Sequence, residues 1–310
     1  MPELAICTKN LTRDFDTVRA VDSLSLEIPQ GLVFGFLGPN GSGKTTTIRL
    51  LLGLLEPTGG RAEVLGFDTL TQAGAIRERA SALLEHHGLY ERLSAEDNLE
   101  FYGRINRIPK VERQERIKEL LTDLGLWERR VESVETWSRG MKQKLAVARV
   151  LLHRPPLIFL DEPTAGLDPI AAAALRDDLE ALAARDGVTV FLTTHNMSEA
   201  EKLCGLVGVI RRGKLLAVGH PDTLRAQAGS PRVEIVGRGF SENALALLRA
   251  HPEVSAAERQ NGHLSLLLGA EADIAPLVSL MVSAGVEVEQ VRKGKASLEE
   301  VFLSMMEGEK

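Results

Sequence analysis

The chain has 310 residues, enough for two domains and a sizeable buried core, and its 44% hydrophobic and 26% charged residues exclude a disordered or low-complexity chain. With 37 basic against 43 acidic residues the net charge is −6, and no lysine- or arginine-rich run stands out, so the sequence gives no footprint for nucleic acid and none is expected as a partner. Nowhere does an apolar run reach the roughly 18 residues of a membrane span, and the charged N-terminus MPELAICTKNLTRDF lacks the apolar stretch of a signal peptide.

The first cysteine, Cys7, and its one counterpart, Cys204, fit neither a metal-ligand spacing nor a disulfide framework; both read as reduced, packed thiols, pointing to a cytoplasmic setting. Strict alternation of Leu24, Leu26 and Ile28 predicts a half-exposed antiparallel strand. Continuous apolar runs over 32–37, 157–161 and 188–193 predict strands buried on both faces, as in a parallel sheet. Two strand styles imply two sheets, with helices between strands as far as about residue 220. A helical insertion is expected over 94–137, opening on a capping box at Ser94-Ala95-Glu96-Asp97 and interrupted at Pro109. A helix is expected over 46–55 and an amphipathic one over 144–152. Gly229-Ser230-Pro231 then punctuates the chain. Beyond it the pattern reads strand 232–236, helix 241–250, strands 254–260 and 263–268, helix 271–284, strand 286–292 and helix 297–306. That order is ferredoxin-like and sets the expected domains at 1–229 and 230–310, the second a small α+β accessory domain.

The segment Gly38-Pro39-Asn40-Gly41-Ser42-Gly43-Lys44-Thr45-Thr46 matches G-x-x-x-x-G-K-[ST] between a strand and a helix, the setting of a P-loop. The glycines let backbone N–H groups turn inward around phosphates, Lys44 neutralises phosphate oxygens, and Thr45 offers a hydroxyl to Mg²⁺ at a helix N-terminus. ATP and Mg²⁺ are therefore the expected ligands. The strand over 157–161 ends in Asp161-Glu162, carboxylates at the C-terminal edge of a parallel sheet. Asp161 is expected to hold Mg²⁺ and Glu162 to orient and polarise the attacking water, since phosphoryl transfer asks mainly for geometry and charge stabilisation. His195, ending the next such strand, is expected to reach the γ-phosphate as a donor.

Trp137-Ser138-Arg139-Gly140-Met141-Lys142-Gln143 lies between these motifs, and Asp161-Glu-Pro-Thr-Ala-Gly-Leu-Asp168 follows it. With these segments in this order, residues 1 to about 225 resemble the ATP-binding cassette (ABC) ATPases, whose signature usually reads Leu-Ser-Gly-Gly-Gln. The resemblance implies an α/β P-loop NTPase with an antiparallel β subdomain and a helical insertion. It also implies two cassettes sandwiching two ATP molecules, as a homodimer or a pseudo-symmetric heterodimer, with the signature of one, here Ser138, Arg139 and Gly140, meeting the γ-phosphate held by the other. Ser138, the Gly140 N–H and the positive end of the following helix do form an anion site with no obvious ligand in their own chain. By the same resemblance Phe15 stacks on adenine, Asp168 belongs to the nucleotide site, and Glu85 takes the place of a glutamine that reaches Mg²⁺. The chain departs from the pattern at Arg139, Met141 and Glu85.

Within that family, Gly88-Leu-Tyr-Glu-Arg-Leu93, Ser138-Arg-Gly-Met-Lys-Gln143 and Leu298-Glu-Glu-Val-Phe-Leu303 look most like the cytoplasmic subunit of bacterial drug-export transporters. The implied function is ATP-driven efflux of a drug-like or lipid-like substrate through a separate integral-membrane permease subunit. The chain would then sit peripherally on the inner face of the membrane, with Tyr90, Leu93, Phe101 and Tyr102 offering a groove to that partner. A soluble ABC ATPase acting on a macromolecular assembly and an import-type cassette are the alternatives; a GTPase is not, because no Asn-Lys-x-Asp tetrad occurs.

Overall fold

The computed structural model describes residues 3–227, 232–260, 263–269, 273–294, 298–299 and 301–302. The chain folds into two compact units, Met1–Pro221 and Asp222–Lys310. The change comes at the start of the helix Pro221–Gln227, earlier than the expected boundary, and Gly229-Ser230-Pro231 lies outside the described residues.

In the first unit, β1 (Leu4–Phe15), β2 (Val18–Pro29), β4 (Gly59–Val64) and β5 (Phe67–Asp68) form an antiparallel sheet in the order β2-β1-β4-β5. Leu24, Leu26 and Ile28 alternate with exposed residues along β2 and are buried, because successive side chains of a strand point to opposite faces. A second sheet has the order β10-β9-β3-β8-β7-β6, from β3 (Val33–Leu37), β6 (Ala80–Leu83), β7 (Leu157–Asp161), β8 (Thr189–Thr194), β9 (Leu206–Arg211) and β10 (Lys214–Gly219). Its strands β9, β3, β8, β7 and β6 are parallel neighbours, while β10 closes one edge as an antiparallel hairpin with β9. Every residue of β8 is buried, and Phe34, Phe36, Phe159 and Phe191 meet as tilted rings at 5.2–6.1 Å between centroids. They share one hydrophobic cluster with Ile6, Leu11 and Leu24 of the antiparallel sheet and Ile48 and Leu51 of the helix after β3.

The helices of this unit are α1 (Lys44–Leu51), α2 (Ala73–Arg79), α3 (Ala95–Ile105), α4 (Lys110–Asp123), α5 (Arg139–Leu151), α6 (Pro169–Asp186) and α7 (Met197–Leu203). The insertion is the α3–α4 pair followed by two short 3₁₀ turns, Trp127–Arg129 and Val134–Thr136. Ser94 caps α3 by accepting from the Asp97 N–H at 3.0 Å. Asp97 takes the Ser94 hydroxyl at 2.6 Å, so the box closes between side chains. Pro109 becomes the N-cap of α4, where its missing N–H costs nothing. Two helices start earlier than their apolar periodicity suggests: α1 at Lys44, and α5 at Arg139, where Ser138 caps by accepting from the Met141 N–H at 3.3 Å.

In the second unit, α8 (Pro221–Gln227) precedes β11 (Arg232–Arg238), α9 (Glu242–Arg249), β12 (Val254–Gln260), β13 (His263–Leu268), α10 (Ile274–Ser283) and β14 (Glu287–Gly294). The antiparallel sheet β12-β13-β11-β14 has the ferredoxin-like arrangement. Alternate residues Val233, Ile235, Leu264 and Leu266 pack against Leu245 and Leu248 of α9 and Leu277 and Met281 of α10. Of the expected helix over 297–306, and of Leu298–Leu303 within it, only 298–299 and 301–302 are described. Among the described residues no helix is long and apolar enough to cross a membrane.

Candidate functional site

Four neighbouring parallel strands bring the motifs to one edge of the large sheet. The glycine-rich loop follows β3, His195 follows β8, Asp161 and Glu162 end β7, and Glu85 follows β6. The C-terminal edge of a parallel sheet is where ligands of such folds bind.

The loop from Gly38 to Gly43 is shaped by its glycines. Gly41 and Gly43 have φ of 76° and 105°, the left-handed region that glycine enters without a steric cost. A Cβ on Gly38 would come within 2.4 Å of the Ile210 carbonyl oxygen. The loop is fastened from behind by a turn at the end of β9: the Gly213 N–H donates to the Ser42 carbonyl at 2.9 Å, and the Gly213 carbonyl accepts from the Asp22 N–H of β2 at 2.9 Å. Lys44, 5% exposed, bends back to donate to the Gly38 and Pro39 carbonyls at 2.8 and 3.2 Å and pairs with Glu162 Oε1 at 3.1 Å.

The two acids have separate environments. Asp161 accepts from the Thr45 hydroxyl at 2.7 Å and from the Thr193 hydroxyl at 2.5 Å. Glu162 sits in the left-handed region, φ 49°, with its N–H donating to the Thr193 hydroxyl at 3.0 Å and the Thr193 carbonyl at 3.1 Å. Its carboxylate lies between Lys44 and His195 Nδ1, the latter 3.1 Å from Oε2. An ionised carboxylate only accepts, so Nδ1 carries the proton.

A cavity of about 670 Å³ opens over this edge, within the ~300–1,000 Å³ of small-molecule sites. Asn40, Gly41, Gly43, Lys44, Thr45, Thr46, Glu85, Arg139, Asp161 and Glu162 line it, together with Val18, Arg19 and Ala20 at the start of β2 and Arg212. Gly38 and Pro39 lie beneath it as carbonyl acceptors for Lys44, and Ser42 is buried with an unpartnered Oγ. His195 reaches the site through Glu162. Phe15, Ser138, Gly140 and Asp168 are not among the lining residues. Phe15 is exposed with the Arg13 guanidinium 4.5 Å over its ring; Ser138 caps α5; Asp168 caps α6, accepting from the Ile170 and Ala171 N–H groups at 3.0 and 2.9 Å.

These residues fit a magnesium nucleotide. The left-handed glycines turn the loop into a phosphate cradle around Lys44, and Thr45 with Asp161 offers hard oxygen donors. Among the described residues no group of three or more His, Cys, Asp or Glu side chains is placed to hold a metal ion by itself. Sequence reasoning missed Thr193, Gln143, His87 and Arg212. Gln143 is buried and lines the cavity from α5; His87 lines it too, its pKa lowered by burial and by the nearby Arg139 charge. For Thr193 the available signal was its place beside His195 at the end of an apolar strand.

A second surface stands apart from the cavity. Tyr90, Leu93 and Phe101 are exposed, not the core of the insertion, and Tyr90 and Phe101 meet edge to face at 4.8 Å. Tyr102 is half-buried, donates its hydroxyl to the Gly88 carbonyl and carries Arg149 5.1 Å over its ring.

Residues 21–165 match the family model described as ABC transporter, and residues 219–306 match the one described as ATP-binding protein DrrA1-3-like, C-terminal domain. The chain is 36% identical to the daunorubicin resistance ATP-binding protein DrrA3 of Streptomyces coeruleorubidus, over 98% of this chain and 96% of that one. It is 35% identical to the bacitracin transport ATP-binding protein BcrA of Bacillus licheniformis, over 98% and 97% respectively. Among solved structures, an ATP-binding subunit of an ABC transporter is similar with TM-score 0.65 and 29% identity, over 72% of this chain and 92% of that one. A dimeric ATP-binding cassette in a post-hydrolysis state with ADP and Pi is similar with TM-score 0.63 and 25% identity, over 69% and 98%.

Proposed function

The chain belongs to the ABC transporter ATP-binding proteins, and from that premise we propose that it is the ATPase subunit of an exporter, driving efflux of a drug-like or lipid-like substrate through a separate membrane subunit. The observation that carries the ATPase is the convergence of Lys44, Thr45, Asp161, Glu162 and His195 on one sheet edge, with Thr193 bonded to both acids. The direction of transport is supported by full-length similarity to proteins named for daunorubicin resistance and bacitracin transport.

In this reading Thr45 and Asp161, joined by Glu85, hold Mg²⁺, which supplies charge neutralisation on the transferred phosphate. Lys44 exchanges the Gly38 and Pro39 carbonyls and Glu162 for phosphate oxygens, acting with the loop N–H groups. Glu162, released from Lys44, orients a water on the γ-phosphorus and takes its proton as the bond to the ADP oxygen breaks. His195 gives up its contact with Glu162 and donates the same ring N–H to the γ-phosphate. Phe15 stacks on the base, and Ser138, Arg139, Gly140 and Asp168 complete the site at the interface of two copies, whose closure on ATP and reopening after hydrolysis shift the membrane subunit between its two states. ATP binding belongs to the first unit, which ends at Pro221 rather than at the expected residue 229, and the second unit is the accessory domain. Tyr90, Leu93 and Phe101 present apolar area to the permease, which holds the chain on the inner face of the membrane.

Tagging the chain in its native cells and extracting in mild detergent tests the assignment. A polytopic membrane protein is expected to co-purify with it. Recovery of soluble partners alone, with ATPase activity intact, would remove the exporter reading and leave the ATPase.

A further inference from the structure

The β9–β10 hairpin turns on two residues, Arg212 and Gly213, with φ of 46° and 82°, the pattern of a type I′ turn. Its first position favours Asn, Asp or Gly, because a left-handed φ presses the Cβ of most other residues against the following carbonyl. An arginine there works against the turn. Of the eight non-glycine residues with positive φ among the described residues, only Glu162 and Arg212 line the cavity, and backbone strain of this kind gathers at ligand sites.

The turn is fixed where the phosphate loop meets the antiparallel sheet. Gly213 is bonded to Ser42 and to Asp22, and the Ala20 carbonyl lies against both Gly43 and Gly213, where a Cβ would come within 2.3 and 3.0 Å of it. Of the cations that line the cavity, Lys44 is paired with Glu162, and Arg19 with Asp14 and Asp22. The Arg212 guanidinium, like that of Arg139, has no ion pair and no hydrogen bond among the described residues. What separates the two is place. Val18 stands opposite Phe15 in the β1–β2 pairing and so marks the end of the cavity proposed for the base, while Lys44 and Glu162 mark the end proposed for the γ-phosphate. Ala20, Gly43 and the turn lie between them, where the phosphate nearest the nucleoside falls. A pair of phosphate oxygens is the ligand that a planar guanidinium fork matches.

We propose that Arg212 binds the α-phosphate of the nucleotide held by its own chain, a contact made alike to ATP and ADP. The proposal rests on the nucleotide reading of the cavity. It makes the turn that fastens the phosphate loop a part of the binding site, one that keeps its hold on the nucleotide through hydrolysis.

Calorimetric titration of the full chain with ATP and with ADP in EDTA, where hydrolysis does not run, tests this. Arg212→Asn should weaken both nucleotides about tenfold, the lower end for a lost charge-assisted contact at an exposed group. Arg212→Gly, with no Cβ to strain, should repeat the loss, and Arg212→Lys should recover part of it. Lys214→Ala removes the same charge from the same hairpin; that side chain is 62% exposed and outside the cavity lining, so binding should change by less than about twofold. Asn and Gly suit the turn better than arginine, so both variants should unfold at or above the parent's temperature, which separates a binding loss from a folding defect. A loss confined to ATP, no loss, or an equal loss in Lys214→Ala would overturn the proposal. A parent protein that binds neither nucleotide would instead remove the nucleotide reading beneath it.

Discussion

At the scale of single residues, one hydroxyl governs both acids. Thr193 donates to Asp161 and accepts from the Glu162 N–H, so it fixes the carboxylate proposed to hold Mg²⁺ and the backbone that aims the one proposed to activate water. Thr193→Val keeps the shape and removes both bonds. A hydrogen bond to a charged group contributes about 1.5–3 kcal/mol, so turnover should fall about ten- to a hundredfold, with a higher Mg²⁺ requirement, in a steady-state ATPase assay titrated with Mg²⁺. Lys44→Ala removes the phosphate cation, and binding of ATP and ADP should each weaken about ten- to a hundredfold by equilibrium titration. Lys44, Thr45, Asp161 and Glu162 were legible in the sequence because their spacing is local. Thr193 was not, since its role comes from the β7–β8 register that sets Asp161 opposite Thr193, and no stretch of sequence states a register.

At the scale of elements, α3 and α4 are clasped by Glu100 and Arg113. Arg113 Nε and Nη2 donate to the two Glu100 oxygens at 2.6 and 2.8 Å, Nη1 donates to the Ile108 carbonyl at 2.6 Å, and the side chain crosses Gly103, where a Cβ would meet Cδ at 2.2 Å. Arg113 first, and Arg104 beside it, hold the Glu100 carboxyl at about 2 instead of 4.5. A carboxyl depressed by folding stabilises the fold above its unfolded value and loses that contribution as pH falls toward the folded one. Glu100→Gln should therefore cost about 1–2 kcal/mol near pH 7, and its gap from the parent in urea unfolding should narrow below about pH 4.5. The insertion itself was legible from Ser94 and Pro109, each a local stop or start signal. The start of α5 was not: Arg139 and Gly140 break the apolar period, and only the Ser138 cap reveals that the helix already includes them.

At the scale of the whole molecule, the order of elements was readable throughout the second unit and, in the first, for β2, β3, β7, β8, α1, α5 and the insertion, because apolar periods of 2 and 3.6 separate strands from helices. The order of strands within the two sheets of the first unit was not, because hydropathy carries no information on which strands are neighbours. The parts of the site not lining the cavity, Ser138, Gly140 and Asp168, lead to a prediction that involves two copies of the chain. Glu162→Gln should bind ATP, hydrolyse it at least about a hundredfold more slowly than the parent, and accumulate as a dimer in sedimentation velocity. A variant that stays monomeric at saturating Mg-ATP would contradict the sandwich.

The link through Gly213 has a mechanical consequence for the first unit. Two backbone hydrogen bonds run from Ser42 to Gly213 and from Gly213 to Asp22, so the phosphate loop is coupled to the antiparallel sheet by a tether with almost no slack. Val18, Arg19 and Ala20, a few residues before Asp22, line the cavity beside the loop, with the Ala20 carbonyl against Gly43. A displacement of the antiparallel sheet is therefore expected to carry the loop and this flank of the cavity together. Strain applied to the outer sheet would then reach the phosphate loop as a shift of loop and flank as one body, against the walls supplied by Glu85 and Gln143.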